Sequence, residues 1–225
     1  MAIDFYYLSG SPFSWRVWLS LEHKQIPYRL HTLSPDAGDL KDPAFTVINP
    51  HQKAPAITDN GLMLYESAVI VDYLEEKFTM HGPSLWPEDV AERAFARRVA
   101  SEANSHLYPP VRRMVVDILF RREGSPNLKR ISKAKHEAGQ QLALLQKTFK
   151  GDYIAGSTLS SADFALYPFV ALLKRIDLKN PAYSAFGLVP DKMQTWAKRI
   201  EALPFFQKTY PPHWRKQDAD RQKET

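Results

Sequence analysis

The first 33 residues constrain the fold most. Ile3–Leu8 is a compact run of β-branched and aromatic residues, which reads as a buried strand. Ser11-Pro12 follows. Ser is a favoured helix N-cap, and Pro needs no amide hydrogen at the first helical position. Trp15, Val17, Trp18, Leu19 and Leu21 carry that helix to about His23, and Pro27 stops it. Tyr28–Leu33 reads as a second strand. Strand, helix and strand in so short a span form a βαβ unit, which requires parallel strands and a right-handed crossover.

Ser34–Gln52 is irregular, with a short helical piece over Pro43–Val47. Ala54–Thr58 and Leu62–Tyr65 read as two further strands. Asn60-Gly61 joins them and is the strongest short hairpin signal. Glu66-Ser67 then opens a helix that runs to Phe78. The order βαβ, short helix, ββα is that of a thioredoxin-like domain over residues 1–79. Thr79–Trp86 holds Gly and Pro and reads as a linker.

Beyond Pro87 strand signals stop. Pro87–Phe120 is expected to form one long helix or two, with Pro109-Pro110 a candidate kink; further helices are expected over Leu128–Phe149, over Ser160–Arg175 with a kink at Pro168, and over Asp191–Leu203. A short piece follows to Tyr210. The fold class is thus an α/β thioredoxin-like N-terminal domain plus an all-α helical bundle over 87–212. A charged tail over 213–225 is expected to fray from Arg215.

Composition narrows the chemistry. The chain is 44% hydrophobic with 12 Phe, 10 Tyr and 5 Trp, enough for a packed core. It has no cysteine, which excludes disulfides, thiolate-ligated metals and a protein thiol nucleophile. No apolar stretch is long enough for a membrane span, and the N-terminus has no secretory pattern, so a cytoplasmic protein is expected. Residues 1–80 hold 6 Lys+Arg against 10 Asp+Glu, a net of −4; residues 81–225 hold 24 against 15, a net of +9. The cations of the second half fall at helical spacing among apolar residues. They read as solvated helix faces rather than a nucleic-acid surface.

Four motifs stand out. Ser11 either only caps its helix, or places a hydroxyl where the helix dipole favours an anion. In the second case it can stabilise a thiolate, which the lack of cysteine requires to come from a ligand. Ala54-Pro55 fits an ordinary edge proline, or a cis bond that would free the Ala54 backbone to pair with an extended peptide. Glu66-Ser67 is either a plain helix start or a carboxylate site with an acid beside it for an ammonium. Ser160 with Asp163, flanked by Leu159 and Phe164, is a capping box with a hydrophobic staple and reads as structural.

The order of these motifs carries a resemblance. S-P-F-S-W-R-V at 11–17, N-P-H-Q-K-A-P at 49–55, Y-E-S-A-V-I at 65–70, L-W-P at 85–87 and S-S-A-D at 160–163 resemble the cytosolic glutathione transferase family over nearly the whole chain. The resemblance implies glutathione as co-substrate, no metal, and Ser11 as the group that activates the thiol. It implies Lys53 for the glycyl carboxylate, Ala54 for the cysteinyl backbone, Glu66 and Ser67 for the γ-glutamyl end, and Lys41 as a second lysine. The first motif is similar to S-P-F of the tau class, to C-P-F of the omega class with Ser in place of Cys, and to S-S-C-S-W-R-V of the zeta class. Omega-type thiol chemistry needs a protein cysteine, and Pro12 and Phe13 replace the Ser and Cys of the zeta motif. Ser14, Tyr6 and Tyr7 are the other hydroxyls near the sulfur. Tyr6 and Tyr7 point to opposite faces of their strand.

The family implies conjugation to a hydrophobic electrophile resting between the first βα turn and the long helix of the second domain. Phe13, His106, Tyr108, Arg112 and Arg113 are candidates for its wall. The alternatives are a glutathione-dependent isomerase, dehalogenase or peroxidase on the same site, or a non-enzymatic binding module of the same fold. A homodimer is implied, with no nucleic-acid or membrane partner. The opposite charges of the two halves fit such a pairing.

Overall fold

The structure is a computed structural model and describes residues 2–121 and 124–222. The chain divides into two compact units, Met1–Leu85 with Pro204–Thr225, and Trp86–Leu203.

The first unit holds strands β1 (Ile3–Leu8), β2 (Tyr28–Leu33), β3 (Ala56–Asp59) and β4 (Leu62–Tyr65), with helices α1 (Pro12–His23), α2 (Pro43–Ile48) and α3 (Ser67–Lys77). The sheet order is β2-β1-β3-β4; β1 is parallel to β2 and antiparallel to β3, and β3 is antiparallel to β4. This is the mixed sheet of a thioredoxin-like domain. Asn60 at φ +49 and Gly61 at φ +87 both lie in the left-handed region, as the β3–β4 hairpin turn demands. Alternation along β1 assigns the faces. Tyr7 packs on Trp18 of α1 with ring centroids 4.8 Å apart, and Tyr6 packs on Phe45 of α2 at 5.8 Å. Phe5, Val17, Leu21, Ile57, Ile70 and Leu74 are fully enclosed in this unit's core.

In the second unit, α4 (Val90–Glu102), a π-helical turn (Ala103–Leu107) and α5 (Tyr108–Ile118) follow one another directly. Where a kink is expected at Pro109-Pro110, a π turn lies just ahead of the two prolines. Two prolines that cannot donate to the preceding turn sit in the first positions of α5, and the π turn absorbs the mismatch. Next come α6 (Leu128–Leu145), α7 (Ser161–Lys179) and α8 (Asp191–Glu201). Fifteen of the nineteen α7 residues are buried, which makes it this unit's central helix, and Pro168 lies within it. Its start is fixed as the capping box predicts. The Asp163 carboxylate accepts from Ser160 N at 2.8 Å, Ser160 Oγ at 3.0 Å, Ile154 N at 3.0 Å and Trp196 Nε1 at 2.8 Å.

The chain end departs from the sequence reading. Two more helices, α9 (Phe206–Thr209) and α10 (Pro212–Gln222), fold with the first unit rather than with the helical one, and the segment expected to fray is helical to Gln222. Residues 223–225 lie outside the described residues. Phe206 and Trp214 are buried against Trp15 of α1, with centroids 5.9 and 5.6 Å away, and Thr209 accepts from the Trp15 indole at 3.1 Å. Two aromatic anchors outweigh a high charge content that on its own reads as unfolded. Among the described residues, no helix is long and apolar enough to cross a membrane.

Candidate functional site

The sheet register gathers three motifs. Tyr6 pairs with Ala56, and Ala56 pairs with Tyr65. The C-terminal end of β1, the N-terminal end of β3 and the C-terminal end of β4 therefore lie side by side. Ser11, three residues past β1, Lys53 and Ala54, just ahead of β3, and Glu66 and Ser67, just past β4, all sit at this end of the sheet.

Ser11 is the N-cap of α1, with extended backbone angles, and its hydroxyl accepts from Ser14 N at 3.4 Å. It remains partly exposed. Ser14 and Tyr7, two other hydroxyls of the region, are enclosed. Ser14 is fully buried and its Oγ accepts from Leu8 N at 3.2 Å. Tyr6 stacks on His31 with centroids 4.6 Å apart. The Tyr7 hydroxyl is enclosed with no hydrogen-bond partner of good geometry; burial pushes its pKa up, and the nearby Ser9 hydroxyl opposes that in part.

Ala54-Pro55 is a cis peptide bond, and β3 begins immediately after it at Ala56. Asn49 shapes the preceding loop: its Nδ2 donates to Lys53 O at 2.6 Å and its Oδ1 accepts from His51 N at 3.0 Å. Lys53 itself is exposed, as is Lys41 at the end of a 3-10 turn, Asp39–Lys41. Glu66 is the N-cap of α3 at φ +69, ψ 107, a conformation that costs a non-glycine residue about 1–3 kcal/mol and tends to mark functional sites.

Ser67 begins α3 and is 5% exposed. Arg16, on α1, donates to its hydroxyl at 3.3 Å. Arg16 is buried, its guanidinium lies 5.7 Å from the Phe13 ring, and burial pulls its pKa down to about 10, still protonated at neutral pH. A buried cation and the amide end of a helix thus both stand behind Ser67 and favour a carboxylate there. The sequence reading includes Arg16 only as a letter of the S-P-F-S-W-R-V motif and gives it no role; a charge inside the apolar run Trp15–Leu19 is the local signal that could have singled it out.

The arrangement suits an elongated ligand with a carboxylate and an ammonium at one end, near Ser67 and Glu66, and a second carboxylate near a lysine. A thiol in its middle would meet Ser11. In the second unit, His106 and Arg112 are exposed, Tyr108 is half-buried against Phe169 at 5.2 Å, and Arg113 pairs with Glu137. Burial pushes the Tyr108 pKa up, with Arg112 opposing. His106 lies in the π turn, and such turns recur at functional sites. A separate cavity of about 530 Å³ in the first unit is bounded by Trp18, Ile26, Tyr28 and Lys208. Its polar groups satisfy one another: Trp18 Nε1 donates to Tyr28 Oη, which donates to Glu22, and Lys208 pairs with Glu22 at 2.7 Å.

Comparison with known proteins bears on this site. The glutathione S-transferase N-terminal domain model matches residues 5–83, and the glutathione S-transferase C-terminal domain model matches residues 110–204. The chain is 27% identical over 215 residues to glutathione S-transferase A of Pleuronectes platessa, covering 92% of this chain and 90% of that one. It is 28% identical over 216 residues to a probable maleylacetoacetate isomerase of Vibrio cholerae, covering 94% and 96%. Among solved structures, glutathione transferase F7 from Populus trichocarpa superposes with a TM-score of 0.80 at 26% identity, over 92% of this chain and 97% of that one.

Proposed function

Because the chain belongs to the glutathione S-transferase family, we propose that it is a glutathione transferase that binds glutathione, stabilises its thiolate and conjugates it to a hydrophobic electrophile. One observation supports the role of Ser11: it is a partly exposed residue at the N-terminus of α1, where Ser14 and Tyr7 are enclosed. A hydroxyl donor and the helix dipole both favour the anion. The thiolate is thereby preformed beside the electrophile, and placement supplies much of the rate.

Lys53, Ala54, Glu66 and Ser67 are the proposed glutathione contacts, with Lys41 a second cation for the glycyl end. Phe13, and in the second unit His106, Tyr108 and Arg112, are the candidates for electrophile contact. Arg113 is withdrawn from that set, since its guanidinium is already paired. No separate redox cofactor or metal is invoked.

The test is an ultraviolet titration of bound glutathione, wild type against Ser11→Ala. A free thiol titrates at about 8.5. We expect the bound thiol to ionise at least about one unit lower in the wild type and to return towards the free value in the variant. Identical titrations would reduce Ser11 to a helix cap.

A second reading, glutathione-dependent isomerisation, is favoured by the relatives named maleylacetoacetate isomerase. Product analysis separates the two: conjugation consumes glutathione, and isomerisation returns it. A cytoplasmic homodimer is the proposed state. Leu62, Met63 and Val69 leave apolar surface exposed on β4 and α3, which supports an interface there. Elution as the 25.8 kDa monomer would count against it.

A further inference from the structure

The turn that presents Ser11 is held by a residue 204 positions away. Ser11 N donates to Leu8 O at 3.1 Å, closing a four-residue turn over Ser9 and Gly10. Gly10 sits at φ +81, the left-handed geometry such a turn needs at its third position. His213, on α10, lies directly on that turn. Its Nδ1 is 2.6 Å from Ser9 Oγ, and a Cβ added to Gly10 would meet His213 Cε1 at 2.8 Å and Trp214 Nε1 at 3.5 Å.

The clamp is itself anchored. Trp214 and Tyr210 pack edge-on against Trp15, one helical turn beyond Ser11, with centroids 5.6 and 5.9 Å away. Tyr210 Oη donates to Asp218 at 2.9 Å, which ties α10 back to the segment before it. The imidazole therefore presses on the loop from a rigid aromatic base rather than from a loose tail.

We propose that His213 is a positioning residue for Ser11. It acts through Ser9 and Gly10 and touches neither glutathione nor the reacting atoms. The closing bond and the Leu8 N–Ser14 Oγ bond brace the two ends of this turn, and His213 holds the Ser9 and Gly10 positions between them. A hydroxyl must lie within about half an ångström of its productive place to stabilise a thiolate well. The Ser9–His213 bond and the close fit of the ring on Gly10 fix the turn, and the turn fixes Ser11. The C-terminal segment is thus part of the site's scaffold, and its truncation before Pro211 removes the clamp. This inference rests on the reading of Ser11 as the thiol donor.

The experiment is the bound-glutathione titration on the full chain for Ser11→Ala, His213→Ala, Ser9→Ala, the Ser9→Ala/His213→Ala double variant and His213→Asn. Intrinsic tryptophan fluorescence reports whether α10 stays docked on Trp15. We expect His213→Ala and Ser9→Ala each to raise the pKa of the bound thiol by about half a unit and to lower kcat about threefold or more, with glutathione affinity changed less than about threefold. The double variant should be no worse than the stronger single one, since both remove one bond. His213→Asn, which keeps a group able to bond Ser9, should recover most of the loss. If Ser11→Ala titrates as the wild type, the Ser11 reading fails and this one with it. If Ser11→Ala shifts the titration while Ser9→Ala and His213→Ala do not, Ser11 stands and the clamp is overturned. Should His213→Ala release α10, Ser9→Ala alone decides between the two results.

Discussion

The Arg16 guanidinium donates to the Ser67 hydroxyl at 3.3 Å, so the helix that starts beside Ser11 is joined by a buried charge to the helix that starts beside Glu66. The proposed thiol-activating helix and the proposed γ-glutamyl end of the glutathione site are therefore joined directly through the core. This link also places a positive charge behind the hydroxyl expected to meet a carboxylate.

Arg16→Met should separate binding from chemistry. The apolar side chain keeps the volume, so the fold should persist. Removing the charge and the donor should weaken glutathione binding about tenfold, which corresponds to about 1.4 kcal/mol, with kcat within about threefold of wild type. Steady-state kinetics with glutathione varied check this. An unchanged KM would show that Arg16 only packs.

Glu66 is a residue whose backbone and side chain pull in opposite directions. At φ +69 it is strained, and glycine tolerates that region freely. Glu66→Gly should leave the melting temperature level or raise it, through relief of about 1 kcal/mol, while glutathione KM rises about tenfold from loss of the carboxylate. A lower melting temperature with unchanged KM would reverse the assignment.

Asp163 is a stability determinant of the second unit. Burial pushes its pKa up, and four donors hold the carboxylate in place against that. Asp163→Ala strands these donors in the interior and should cost about 3–5 kcal/mol. For a chain of this size that is a fall in melting temperature of about 10 °C, readable by calorimetry. A fall under about 2 °C would mean that the donors find other partners.

Asp4 gives the first unit an acid sensitivity. The Arg29 guanidinium at 2.6 and 2.7 Å holds its carboxyl well below the ordinary value of 3.8, His31 at 2.8 Å adds to this, and burial opposes. A folded-state pKa below the unfolded one contributes stability above the unfolded value and loses it as pH falls. The wild-type melting temperature should therefore drop more steeply below about pH 4 than that of Asp4→Asn. Parallel slopes from pH 5 to pH 2 would exclude Asp4 as a source.

Most of the architecture was legible in local signals. Short apolar and aromatic runs marked β1, β2 and β4, Asn60-Gly61 set the hairpin, Ser11-Pro12 set the start of α1, and Ser160 with Asp163 set the start of α7. Each depends on residues within a few positions of one another, where backbone preference and capping chemistry act directly. β3 was less legible, starting at Ala56 rather than Ala54, because Pro55 has no N–H to give to the ladder.

By itself the sequence determined the two-part fold, the order of the glutathione-transferase motifs, and the identity of Ser11, Lys53, Ala54, Glu66 and Ser67 as candidates. Only the tertiary structure decided which hydroxyls are spent, that Arg16 stands behind Ser67, and that the charged chain end docks on Trp15 to bring His213 onto the Ser9–Gly10 turn. The reason is separation along the chain: Arg16 and Ser67 are 51 residues apart and Ser9 and His213 are 204 apart. Contacts of that range leave no periodicity or cap, and depend on which buried faces pair when the core closes.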